Sequence, residues 1–197
     1  MKSFFVLLAA VALGVLAATD LAEACACCTN PGECRVRQEK LLPQHPMVLR
    51  VRFDTKARLY TGAAGLEGIK GIVEPSEVYE LEVTRRPDHF LFLFRDDKKK
   101  NGTLAVFLPR SYSIFEVDPR AEAGNAPPIL YKEWKITSKV EVSGIFTPSA
   151  GGDQRITLIF QGRGNACTAP EDFTHWTLTM EGPKANYHFF GALEPPG

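Results

Sequence analysis

The chain has 197 residues, of which 45% are hydrophobic and 23% are charged, with 23 basic and 23 acidic side chains. This length is enough for one domain with a sizeable core. Because the formal net charge is zero and both signs are mixed along the chain, bulk electrostatics would not hold a nucleic acid or an anionic membrane surface.

Residues 1–24 have the order of a secretory signal peptide. Lys2 is followed by the uncharged apolar run 4–16 and then by Ala22-Glu-Ala24, a small-residue cleavage motif. That run is shorter than the ~18 residues expected of a membrane span, and no later run reaches that length, so the sequence predicts no membrane span. We therefore expect an exported protein, periplasmic or extracellular, whose mature chain begins at Cys25, with cleavage after Ala26 as the alternative.

A cysteine-rich arm, residues 25–50, follows the signal. It holds a CxCCx5C cluster, and the fifth cysteine of the chain lies far downstream. Adjacent Cα atoms are ~3.8 Å apart, closer than the ~4.4–6.8 Å usual across a disulfide, so Cys27 and Cys28 need different partners. One scheme joins one of them to Cys34 and the other to Cys167. Because exported proteins fold in oxidising compartments, we expect these bridges to stabilise the protein.

Two other roles for this arm stay open. Thiolates are good ligands for copper and zinc, although the cluster contains no histidine and exported thiols tend to oxidise. The cysteines of this alternative metal site are Cys25, Cys27, Cys28 and Cys34. A lipid anchor at Cys25 is disfavoured, because Ala22 and Glu23 stand where lipoprotein signals usually place leucine and a small residue.

Residues 51–197 carry the patterns of a single all-β domain. Apolar and polar side chains alternate over 51–60 and over 79–84, which predicts strands with one buried face. The run 90–94 is apolar on both faces and predicts a central strand covered on each side. The charged segment after it ends in Asn101-Gly102, which predicts a hairpin turn into the next strand.

The second half of the domain continues this strand pattern. Short apolar runs separated by turn residues, with no amphipathic helix longer than about three turns, indicate an antiparallel all-β fold. Successive hairpins favour a meander that forms a barrel, with a two-sheet β-sandwich as the alternative. The runs are 113–117, 130–137 paired with 140–146, 156–160, 176–180 and 187–193.

Aromatic residues are the main candidates for a binding site. Trp134 and Trp176 are most economically core residues, but in a wide barrel they would line a pocket for a small apolar molecule, with Arg163 as its polar anchor. The neighbouring Gly162-Arg-Gly-Asn165 lacks the third glycine of a dinucleotide loop, so we expect loop glycines with positive φ.

These observations predict an exported binding protein without a cofactor, for a small apolar molecule or a protein partner. The first alternative is a periplasmic protein that binds copper or zinc through the cysteine cluster. The second is a hydrolase or isomerase with a site at the barrel mouth. Cys167, Asp172 and His175 have the residue types of a nucleophile, an acid and a base, but spacing alone cannot supply catalytic geometry.

Overall fold

The fold is an antiparallel β-sheet in a computed structural model that describes residues 32–41, 50–122, 129–151, 153–164 and 172–194. These ranges contain eleven strands in one sheet, two short 3-10 helices (Gly65–Gly68 and Thr147–Ser149) and no α-helix. The all-β antiparallel prediction is therefore confirmed. The strands are β1 (Cys34–Lys40), β2 (Lys56–Leu59), β3 (Val78–Arg85), β4 (His89–Arg95), β5 (Asn101–Phe107), β6 (Ser111–Val117), β7 (Leu130–Ser138), β8 (Val140–Gly144), β9 (Arg155–Gly164), β10 (Phe173–Gly182) and β11 (Ala185–Ala192).

The strand order is β1-β6-β7-β9-β10-β11-β2-β3-β4-β5-β8. Consecutive hairpins make up two runs of this order, β2 to β5 and β9 to β11. Hydrogen bonds do not close the sheet, since β1 and β8 lie at its two ends. Only Lys139 separates β7 from β8, so the chain itself links the two ends of the order. This arrangement is compatible with either a barrel or a sandwich.

The predicted pairing of 130–137 with 140–146 is wrong. Strand β7 pairs with β6 and β9, whereas β8 pairs with β5. The physical reason is the connection: Lys139 alone stands between β7 and β8, and the tight hairpins that join paired strands need a loop of about two residues or more. The chain therefore continues in one direction and changes its partner strands.

Aromatic rings from distant strands meet on the inner face of the sheet. Phe94 of β4 stacks on Phe189 of β11, with ring centroids 4.5 Å apart, and Phe92 lies 5.9 Å from the ring of Trp176. Phe53 adds ring contacts to β4, β9 and β10. Because β4 and β11 are three places apart in the strand order, the sheet must curl for these rings to touch. Each buried ring contributes roughly 1.5–3 kcal/mol to stability.

Two details of the β4–β5 hairpin differ from expectation. Leu91 and Leu93 are half-buried on the outer face, so the strand is fully covered on one side only. The turn is Asp96 to Lys100, and the Asp96 carboxylate accepts a hydrogen bond from the Lys100 N–H at 2.7 Å. Gly102 instead lies within β5, where a Cβ atom would approach Ile145 to 2.7 Å, so this glycine serves close packing rather than the turn.

Candidate functional site

The structure separates the three residues predicted to bind a ligand. Trp134 and Trp176 are fully buried on the inner face. The Trp134 ring packs at 4.8 Å from Phe173 and 5.3 Å from Tyr112. Arg163 is exposed, and alternation along β9 places it on the outer face. The assignment of these residues to a ligand stays a prediction, but the structure does not bring them together on one surface.

Cys34 is the cysteine that the described ranges contain, and it is exposed on β1. Cys25, Cys27, Cys28 and Cys167 lie outside the described residues, so both the disulfide scheme and the copper or zinc site stay predictions. Within the described part of the chain, no group of three or more His, Cys, Asp or Glu side chains is placed to hold a metal ion.

The supposed acid and base have different partners. Asp172 Oδ2 lies 2.7 Å from the Nζ atom of Lys132. His175 is exposed, and its Nδ1 atom lies 2.9 Å from the hydroxyl of Thr174. The third member, Cys167, falls outside the described residues. The described geometry therefore gives no support to a catalytic triad here.

A row of alternating charges crosses the inner face from β1 through β6 and β7 to Asp172, the residue that precedes β10. Arg37 Nη1 is 2.6 Å from Glu116 Oε2, Glu116 lies opposite Lys132 in the β6–β7 register, and Lys132 pairs with Asp172. Glu116 and Lys132 are both fully buried. The Lys132 ammonium also lies 5.3 Å from the centre of the Phe173 ring. Buried charges are tolerated only when paired, so this inner charged row is first of all a structural requirement of the fold.

Two glycines let Asp172 reach Lys132 across β9. A Cβ atom on Gly164 would lie 1.9 Å from the Asp172 carboxylate, and one on Gly162 would lie 1.8 Å from the Asp172 carbonyl oxygen. Both are strand residues, and neither is among the glycines with positive φ. The expected positive φ is therefore wrong. The sequence signal was glycine at alternate positions of a strand, which marks close approach by another segment.

A recess of about 370 Å³ opens on the outer face where β2 and β11 meet. We call it the Tyr60 recess, and it is lined by residues 60–64, 68–69 and 186–188. The Tyr60 side chain is 62% exposed beside it. Its backbone N–H donates to the His188 carbonyl at 2.8 Å, which places the two residues opposite each other, and their rings lie 6.4 Å apart.

The wall of the Tyr60 recess is a glycine-rich loop with a defined shape. Gly62 and Gly65 have φ of 59° and 60°, the left-handed conformation that glycine adopts at no steric cost. The loop then forms the 3-10 helix Gly65–Gly68. Lys70 anchors its end, because its carbonyl accepts a hydrogen bond from the Asn186 N–H at 3.1 Å.

The His188 imidazole lines the Tyr60 recess, and burial favours its neutral form. Burial lowers its pKa from the ordinary value of 6.5, and the nearby charge of Glu181 raises the pKa by less. The Thr179 hydroxyl lies 3.1 Å from its Nε2 atom. A neutral imidazole has one donor and one acceptor nitrogen, so His188 is suited to pair with hydroxyl groups.

We expect the ring of His188 to titrate with a midpoint below 6.5. Burial disfavours the charged form, so protonation requires a lower pH than in an unfolded chain. NMR titration of the ring protons, assigned with His188→Gln, measures this midpoint. Glu181→Gln should lower the midpoint further, because it removes the charge that favours protonation. A midpoint at or above 6.5 would contradict the burial of this ring.

The Tyr60 recess was not predicted from the sequence. Asn186, His188 and Phe190 occupy the outward positions of β11, and Phe190 is 39% exposed. Arg58 lies directly opposite Phe190, so Tyr60 and Phe190 are diagonal neighbours on one outer face. Large aromatic residues at the polar positions of an alternating strand were the available signal, since such rings are usually buried.

Comparison with known proteins found no relative of this chain. The chain matches no protein-family model, no curated protein and no solved structure. Across the described ranges, no helix has the length and apolar character needed to cross a membrane. The protein is therefore classified by its fold and the Tyr60 recess alone, as an all-β protein with an aromatic recess on one outer sheet face.

Proposed function

We propose that this chain is an exported binding protein that holds a small ligand in the Tyr60 recess. The observation that carries the proposal is an aromatic ring, 62% exposed, beside an open recess with hydrogen-bonding side chains. The recess exposes polar and apolar surface in nearly equal parts, which suits a ligand that has both a face for stacking and hydrogen-bonding groups. The signal-like residues 1–24 support export.

The interior is a poorer candidate for the ligand. Phe94, Trp134, Phe160 and Trp176 are fully buried, and their rings contact other aromatic rings. An interior ligand would have to displace part of this packing. The outer recess is open without any rearrangement of the core.

Binding is favoured over catalysis by the residues around the recess. None of the lining residues is acidic, and the His188 ring lies within hydrogen-bond distance of a threonine hydroxyl rather than a carboxylate. A general base of the usual kind is oriented by a neighbouring group and needs a pKa near the working pH. His188 offers hydrogen bonds here, and binding requires no more.

We expect Tyr60→Ala to weaken ligand binding by about tenfold, equivalent to ~1.4 kcal/mol, because it removes the ring that forms the exposed wall. The measurement is an NMR screen of small ring-containing molecules against the mature chain. Ligands should shift the amide signals of residues 61–69 and 186–188. Val36→Ala is a matched control, since Val36 is also exposed, at 71%, but lies on β1.

Two results would contradict this function. Ligand-induced shifts clustered around Trp134 and Trp176 would place the binding site in the interior. Equally tight binding of the same molecules by Tyr60→Ala and the wild type would show that the recess is not the binding site.

A further inference from the structure

We infer that the Tyr60 recess binds a sugar ring of a neutral carbohydrate. This inference rests on the proposed function and names the ligand class of the same site. Three properties of the described residues lead to it: the exposed aromatic ring, the uncharged lining, and a second exposed ring on the same outer face.

The exposed ring selects a ligand with a flat, weakly polar face. An aromatic face carries negative charge density, so it attracts the slightly positive C–H groups that cover one face of a sugar ring. Tyr60 is 62% exposed, which leaves its ring available for such a contact. A purely aliphatic molecule would also stack, but it would leave the polar groups of the recess unused.

The polar groups of the recess are neutral and can both donate and accept. The Asn186 side chain has a carbonyl oxygen and an NH₂ group, and the Thr61 hydroxyl has both capacities. The Nε2 atom of His188 is engaged by Thr179, so His188 offers its Nδ1 atom, as a donor or an acceptor according to its tautomer. Sugar hydroxyls have the same dual capacity. Because none of the lining residues is Asp, Glu, Lys or Arg, the recess provides no ion-pair partner for a phosphate, a carboxylate or an amine.

A second exposed aromatic ring, that of Phe190, extends the site beyond one sugar ring. Phe190 is 39% exposed and is the diagonal neighbour of Tyr60, at ~7–8 Å by strand geometry. Thr177 pairs with Phe190 and Thr179 pairs with His188 in the β10–β11 register. Both threonines lie on the outer face, so their hydroxyl groups flank the rings of Phe190 and His188. This arrangement fits an oligosaccharide better than a single sugar.

The test is calorimetric and NMR titration of the mature chain with glucose, galactose, mannose and N-acetylglucosamine and with their disaccharides. Phenol and inorganic phosphate are the comparison probes, because one supplies a ring without a polyol and the other supplies a charge. We expect at least one neutral sugar series to shift the signals of residues 61–69 and 186–188. Disaccharides should bind more tightly than the matching monosaccharides.

Variants separate stacking from hydrogen bonding. Tyr60→Phe should keep the affinity within about threefold, whereas Tyr60→Ala should lose about tenfold or more. Phe190→Ala should weaken disaccharides and leave monosaccharides unchanged. Asn186→Asp removes the amide donors at nearly constant shape and should weaken every sugar. Unchanged tryptophan fluorescence establishes that each variant is folded, since both tryptophans lie in the core.

The outcomes distinguish the two proposals. If phenol or phosphate shifts the recess signals and no sugar does, the carbohydrate class is overturned while the binding site stands. If none of these probes shifts the recess signals, the carbohydrate inference is overturned, and the wider screen of ring-containing molecules decides the proposed function. Equal affinity of Tyr60→Ala and the wild type for a sugar would also overturn the carbohydrate inference.

Discussion

Replacing Asp172 with alanine should lower the free energy of unfolding by about 3 kcal/mol, at the lower end of the range for breaking a buried ion pair, because Asp172 is itself partly exposed. The change removes the carboxylate 2.7 Å from the fully buried ammonium of Lys132. Taking a charge out of water is costly, and that cost is offset only while an opposite charge stays close. Urea unfolding followed by tryptophan fluorescence measures the loss, since both tryptophans are core residues.

Two matched variants test the cause of this loss. The double variant Lys132→Met with Asp172→Ala also removes the buried ammonium that Asp172 compensates. Much of the stability lost in Asp172→Ala should therefore return in the double variant. Gly164→Ala should cost about as much as Asp172→Ala, because its Cβ atom would lie 1.9 Å from the carboxylate and would push Asp172 away from Lys132. Adding Gly164→Ala to Asp172→Ala should then cost little more. Additive losses would show that the ion pair is not the common cause.

The faces of the strands could be predicted from the sequence. Ala57 and Leu59 are buried while Arg58 and Tyr60 are exposed, as the alternation in this segment predicts. Phe90, Phe92 and Phe94 are likewise buried on one side. This success has a simple origin, because successive side chains of any strand point to opposite faces whatever its partners are.

The partners of each strand and the site could not be predicted in this way. Lys132 and Asp172 are 40 residues apart, and their contact depends on β9 passing between them with glycine at the right positions. The Tyr60 recess likewise depends on the register of β11 against β2, which joins segments more than a hundred residues apart. Alternation shows that Tyr60 points outward, but it contains no information about what stands opposite.

The described residues that flank the predicted bridge lie at one end of the sheet. The Gly32 N–H donates to the Asp118 carbonyl at 2.9 Å, and Cys34 pairs with Val117 in the β1–β6 register. Across β7 and β9 the same row continues to Arg163. Three strand spacings at ~4.8 Å separate Cys34 from Arg163 by roughly 14 Å. Four residues of chain span at most about 13–14 Å, so the positions of Cys34 and Arg163 are compatible with the predicted bridge.

We therefore expect Cys167→Ser to have a larger effect than Asp172→Ala, up to about 5 kcal/mol for a bridge that closes a loop of about 140 residues. Cross-linking stabilises mainly by restricting the unfolded chain, so the loss should appear as a lower urea midpoint under non-reducing conditions. In excess reductant the wild type and Cys167→Ser should unfold at the same urea concentration, because neither then has the bridge.

The thiol count of the native mature protein decides between the roles of the cysteines. Zero or one free thiol agrees with the bridges, in which Cys27 and Cys28 take different partners. Three or four free thiols, together with stoichiometric copper or zinc, would instead support the metal site. In that case Cys167→Ser should leave the urea midpoint unchanged, since Cys167 is not among the proposed metal ligands. The stability measurement and the thiol count thus have to agree, because a bridge to Cys167 uses one of the sulfur atoms that the metal site requires.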